Sequence, residues 1–152
     1  MNGGIPARIR ASAAVARAET HAGSISVKQL ARLRPLLLRD DGQLEASVSL
    51  RRDEGGVARL EGALRGGVWL ECQRGLHPFE QRLDLSFSLL LAASEAEERR
   101  LLKVGDALLV EDDNLALRQI LEDELLLALP VAPRCEDPDC GKRAAAAAVA
   151  PQ

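Results

Sequence analysis

The chain has 152 residues, 47% of them hydrophobic, which is enough for one compact domain with a modest core. Only 2% are aromatic (two Phe, one Trp, no Tyr), which leaves the core to aliphatic side chains and argues against a sheet of rings that stacks RNA bases. A net charge of −3 is not the basic signature of a simple nucleic-acid binder, and no apolar run is long enough for a signal peptide or a membrane span.

In chain order, Ile5, Ala7, Ile9 and Ala11 alternate with other residues as a first strand does, and residues 12–25 are small and polar. Ser26 is placed to cap a short helix bearing Val27, Leu30 and Ala31, which Pro35 interrupts; Arg39-Asp40-Asp41-Gly42 is a turn. Ala46, Val48 and Leu50 then alternate with Glu45, Ser47, Ser49 and Arg51, the period of a half-buried strand. Asp53-Glu54-Gly55-Gly56 turns the chain into Ala58, Leu60, Gly62 and Leu64. Gly66-Gly67 is read as a second turn, leading to Val68, Leu70 and Cys72. Leu83, Leu85, Phe87 and Leu89 form a fourth strand, so the middle of the chain reads as an antiparallel meander. Gly62 inside a strand marks a bulge or a close approach.

Residues 94–100 make a helical turn or a mobile loop, and Ala107–Val110 a last short strand. Asp112-Asp113-Asn114 is a ready cap for a helix with Leu117, Ile120, Leu121, Leu125 and Ala128 on one face. Arg118, Gln119, Glu122 and Asp123 lie opposite, and Pro130 and Pro133 stop the helix. The expected fold is α+β: a small antiparallel sheet or partly open β-barrel packed by one or two helices. Residues 1–140 form a single domain, followed by an Ala-rich flexible tail at 141–152.

Charge is distributed unevenly. Residues 1–92 carry 13 basic and 10 acidic side chains, a net +3, whereas residues 93–152 carry 7 and 13, a net −6. Phosphate contact therefore belongs to the front portion and a basic protein partner to the acidic back; plain solubility explains the same charges. Three cysteines, none paired as in a secreted framework, point to a reducing, cytoplasmic compartment.

No catalytic constellation is found. Glu111, Asp112 and Asp113 read as a cap, Glu122 and Asp123 as a polar helix face, and His21 and His77 lack a nucleophile at a recognised spacing. Cys72, His77, Cys135 and Cys140 would make a three-sulfur, one-nitrogen zinc set, but the spacing of Cys72 and His77 is irregular and alternation turns Cys72 toward the core. Free reduced cysteines, with no metal and no other cofactor, are the expectation.

Leu70-Glu71-Cys72-Gln73-Arg74 with Pro78-Phe79, then Glu122-Asp123-Glu124 running into Leu125–Pro133 and Cys140, resembles the YceD family of bacterial proteins. The resemblance runs from about Ile5 to Cys140. It implies a non-enzymatic factor supporting synthesis, processing or accumulation of large-subunit ribosomal RNA. Many members carry a second cysteine where this chain has Gly75, and proteobacterial members end in an Asn-Pro-Phe and basic segment that this chain lacks. The resemblance supplies no catalytic residues.

The combined expectation is that Arg51, Arg52, Arg74 and Arg82 touch ribosomal RNA or its precursor particle, while Glu122, Asp123 and Glu124 face a basic ribosomal protein. A protein–protein adaptor that recruits a ribosomal protein or processing enzyme without touching RNA is the alternative. Neither a membrane nor a small-molecule substrate is expected.

Overall fold

The computed structural model describes residues 4–137 and residue 140; the Ala-rich tail expected at 141–152 lies outside the described residues. The elements are β1 (Ile9–Arg10), α1 (Ala11–Ala16), β2 (Thr20–Ser26), β3 (Gln43–Arg52), β4 (Ala58–Glu71), β5 (Pro78–Ala92), α2 (Glu95–Leu101), β6 (Ala107–Leu109), β7 (Asn114–Leu115) and α3 (Leu117–Ala128). β2 to β6 form one five-stranded sheet in that spatial order, and β1 pairs with β7 in a separate two-stranded ribbon. The sheet is antiparallel from β2 to β5. β6 returns through α2 and lies parallel to β5, so the sheet is mixed. The fold is α+β as expected, with an open sheet packed by helices that does not close into a barrel.

Alternation makes one face of this sheet apolar. Leu44, Ala46, Val48 and Leu50 on β3, Leu60, Leu64, Val68 and Leu70 on β4, and Leu83 and Leu91 on β5 are buried together with Ala14 and Val15 of α1 and Leu117, Leu121 and Leu125 of α3. Both helices therefore cover the same face. The opposite face is polar except at half-buried Trp69, over whose ring the Arg39 guanidinium lies at 5.1 Å, and at the end of β5, where α2 brings Leu101 onto Leu90 and Ala92. Among the described residues, no helix is long and apolar enough to cross a membrane.

Three sequence expectations are corrected by the backbone. Gly66-Gly67 is not a turn: β4 runs unbroken for 14 residues, because the buried positions keep even parity from Leu60 through Leu70. The glycines serve close approach instead. A Cβ on Gly66 would stand 2.6 Å from Leu44 Cδ2, and Gly66 has φ +152°; a Cβ on Gly67 would meet the Glu80 side chain. The strand expected over Ile5–Ala11 is reduced to Ile9–Arg10, with Ala11 already in α1; the small, polar residues 12–25 hold most of α1 and β2, and the Ala-rich run carries the inward face of α1 without any strong hydrophobic stripe.

Asp112-Asp113-Asn114 does not cap α3, which begins at Leu117 after Ala116 with no side-chain cap. Asp113 instead reaches back to α1, where its carboxylate accepts Ser12 N–H at 2.8 Å and Ser12 Oγ–H at 2.6 Å. It thus satisfies a first-turn amide of a helix about a hundred residues earlier in the chain. Ser26, by contrast, does cap the turn that follows it, in a reciprocal box with Gln29.

Candidate functional site

The longest hairpin of the sheet ends in the segment Cys72–His77. Its turn is closed by Cys72 N–H to His77 O at 2.9 Å and Leu76 N–H to Cys72 O at 2.7 Å, with Leu76 in the left-handed region at φ +55°. After α3 the chain passes Pro130 and Pro133, which cannot continue a helix, and folds back on this tip; Gln73 N–H donates to Pro133 O at 2.8 Å. Cys135 and Cys140 arrive with it. The four side chains that spacing alone did not unite thus stand together: one ligand atom from each of Cys72, His77, Cys135 and Cys140 lies within 4.8 Å of all the others.

All three cysteines are free thiols, with Cys72 and Cys140 buried and Cys135 and His77 half-buried. Cys72 Sγ lies 3.7 Å from Cys140 Sγ, and Cys135 Sγ lies 3.4 Å from His77 Nε2. Cys72 faces inward as its parity requires, but its sulfur is met by polar hydrogens rather than by the core: Gly75 N–H at 3.3 Å and Cys135 N–H at 3.5 Å. These donors favour the thiolate, and the Cys72 thiol is pushed down to about 6, first by the Cys135 amide. Arg74 closes the group, donating from Nε to Cys140 Sγ at 3.1 Å and from Nη2 to Asp137 O at 2.7 Å.

The four arginines expected at RNA are not gathered into one patch. Arg51 lies opposite Arg59 and Arg82 opposite Gly67, eight residues apart along β4, roughly 25 Å at the rise of a strand. Arg51 bonds Glu61 through Nη2 at 2.9 Å, Arg52 donates to Gly56 O at 2.9 Å, and Arg74 is held as above. Arg82 is exposed on β5. The polar face of the sheet pairs its charges, Arg51 with Glu61 and Arg65 with Asp84 across strands and Arg59 with Asp53 of the turn between β3 and β4.

The acidic trio is also divided, and the placement of Glu122 is corrected. It is 5% exposed, and its carboxylate accepts Arg32 N–H at 2.6 Å, Leu33 N–H at 3.0 Å and Arg32 Nε–H at 3.2 Å. That group ties α3 to the loop ahead of β3 and presents nothing to a partner. Asp123 stays at the surface, paired with Arg32 Nη1 at 2.6 Å. Glu124 is half-buried beside a cleft between α3 and β6 lined by Leu89, Leu108, Ile120 and Leu126. Its carboxyl is pushed up by burial, then by Asp106 and Asp123. Helical periodicity could not reveal the Glu122 role, because its partners are backbone amides some ninety residues distant.

No solved structure matches the chain. The family model described as "Large ribosomal RNA subunit accumulation protein YceD" matches residues 60–150. The matched range starts within β4, so residues 5–59, included in the wider resemblance, fall outside it. It takes in the hairpin tip, the four clustered ligand residues and α3, more than half of the chain; the protein belongs to the YceD family, whose name implies a role in large-subunit ribosomal RNA accumulation.

Proposed function

We propose that the protein is a non-enzymatic cytoplasmic factor in large-subunit ribosomal RNA accumulation, and that it works as an adaptor seating a basic protein of the large subunit. The observation that carries this reading is the cleft between α3 and the edge strand β6, with its apolar floor and its rim of Asp123 and Glu124. Leu127 stands beside it, 80% exposed. A carboxyl crowded by Asp106 and Asp123, as Glu124 is, gains from an incoming Lys or Arg, and the leucines give the same partner an apolar anchor. The non-enzymatic reading draws support from the work the carboxylates already do: Glu122 holds a loop, Asp113 caps α1, and Asp53 binds the amides of Gly55 and Val57.

The test is sedimentation of lysate through a gradient at low and then moderate salt, with the protein probed in each fraction. The adaptor reading expects co-migration with large-subunit precursors that largely survives the salt step and is lost in Glu124→Lys and Leu127→Asp variants. A protein that stays at the top throughout, or variants that sediment like the wild type, would overturn it. A second reading, direct phosphate contact through Arg74 and Arg82, is favoured by their shared position toward the tip end of the β4–β5 hairpin. Co-migration that falls steeply with salt and is lost on charge reversal at both arginines would select that reading.

A further inference from the structure

We propose that Cys72, His77, Cys135 and Cys140 form a structural zinc site in which His77 occupies the place that a side chain at position 75 would otherwise take. The distances fit one ion. Zn–S bonds of about 2.3 Å and Zn–N bonds of about 2.0–2.1 Å in a tetrahedron put two sulfurs about 3.8 Å apart, and a sulfur and a nitrogen about 3.6 Å apart. The cluster has 3.7 Å between Cys72 and Cys140 Sγ and 3.4 Å between Cys135 Sγ and His77 Nε2. Its greatest ligand separation is within 4.8 Å, a span that closes around a single cation. Three thiolates and one imidazole fill a tetrahedral shell with no position left for substrate, the arrangement of a structural rather than a catalytic zinc.

The surroundings are built for such an ion. His77 Nδ1 lies 3.1 Å from Pro78 O, and because a carbonyl only accepts, Nδ1 carries the proton. The neutral ring then turns its Nε2 lone pair toward the three sulfurs, while Nδ1–H to Pro78 O is the outer-sphere contact that metal-bound histidines usually make. Cys72 Sγ takes two backbone amides and Cys140 Sγ the Arg74 guanidinium. Three thiolates on a dication leave one negative charge, and Arg74 stands at hydrogen-bond distance to balance it.

Position 75 explains the irregular spacing that hid the site. A Cβ built on Gly75 would stand 2.6 Å from His77 Cδ2 and 3.2 Å from Cys140 Cβ, so the glycine points straight into the cluster. The imidazole fills that space. A side chain at 75 and the His77 ring exclude each other, and a Cys-x-x-Cys pair beginning at Cys72 is the alternative way to present two ligands from the same turn. The metal's task follows from the connections: it fastens the segment after α3, through Cys135 and Cys140, to the tip of the β4–β5 hairpin, beside the Gln73–Pro133 hydrogen bond.

The experiment uses the full chain purified without chelator, with zinc measured by mass spectrometry and the tetrahedral site probed by replacing the metal with Co²⁺. One equivalent of zinc and the intense visible bands of tetrahedral, thiolate-bound cobalt are expected. Circular dichroism establishes that each variant is folded. In competition with a chromophoric chelator, His77→Ala should weaken zinc binding by more than about a hundredfold, beyond the 10–100-fold usual for an outer-sphere partner. Gly75→Cys combined with His77→Ala should restore tight binding and shift the cobalt spectrum to that of four thiolates. Folded wild type that takes up neither zinc nor cobalt in tetrahedral form overturns the site. A double variant binding no better than His77→Ala overturns the assignment of His77.

Discussion

Removal of the Glu122 carboxylate should be costly out of proportion to its place on an acidic helix turn. In Glu122→Ala the buried Leu33 amide loses its acceptor, at 3.0 Å, and Arg32 loses both its amide and its Nε contacts. An unsatisfied buried amide costs about 1–3 kcal/mol, and breaking a buried charged group from its partners about 3–5 kcal/mol. Water reaches the half-exposed Arg32 guanidinium, which places the expected loss near the lower end, about 3 kcal/mol. For a domain of this size, whose net stability is on the order of 10 kcal/mol, that is a large share. Urea unfolding followed by circular dichroism measures it: with an m value of about 2 kcal/mol per molar, the midpoint should drop by about 1.5 M. Asp123→Ala is the internal comparison. Its exposed pair with Arg32 is worth about 0.2–1 kcal/mol, so its midpoint should move by less than about 0.5 M. Equal shifts for the two neighbours, or a Glu122→Ala shift within the range of Asp123→Ala, would refute the role given to Glu122.

Two further outcomes follow from geometry. Gly62→Ala should destabilise by about 1–2 kcal/mol, because its Cβ would strike the Phe87 ring across β5, with Cε1 at 2.7 Å. Phe87→Leu in the same background should recover part of that loss in a double-mutant cycle, and strictly additive effects would contradict the contact. Asp113 is held below the usual carboxylate range, first by the Ser12 hydroxyl and then by its amide. A lowered folded-state value means its contribution is complete above the unfolded carboxylate value and is lost as pH falls through the folded one. Denaturant titrations should therefore show wild type above Asp113→Asn at about pH 6, with the gap closing in acid; a gap independent of pH would contradict the reading.

What the sequence made legible was mostly local. The period-2 runs of β3, β4 and β5 name their own buried faces, and the Ser26–Gln29 box names its own cap. The unbroken even parity from Leu60 to Leu70 was also present, and it outweighed the turn chemistry of Gly66-Gly67. Other features depend on chain segments far apart. Nothing in Asp113 announces that it serves Ser12 rather than α3, and nothing in Glu122 announces two amides on a distant loop. The cluster at the hairpin tip is of this second kind: its residues were identifiable, but only the return of the chain after α3 sets Cys135 and Cys140 against Cys72 and His77. The scatter of Arg51, Arg52, Arg74 and Arg82 has the same origin, since position in the front of a sequence does not place side chains on one surface.

The bond between Ser12 and Asp113, with the β1–β7 ribbon beside it, sets an order of events during synthesis. β1 and α1 leave the ribosome early, yet the groups that complete them lie some hundred residues later. At about 5–20 residues per second, they wait several seconds or more for those partners. α1 itself has six residues, too few to persist in water without packing. Until residues 113–115 emerge, a nascent chain therefore exposes the apolar face of β3 and β4 without its α1 cover. A chaperone or the ribosome surface acting on this protein would meet that bare sheet face first, and translational pausing ahead of residue 113 would lengthen its exposure.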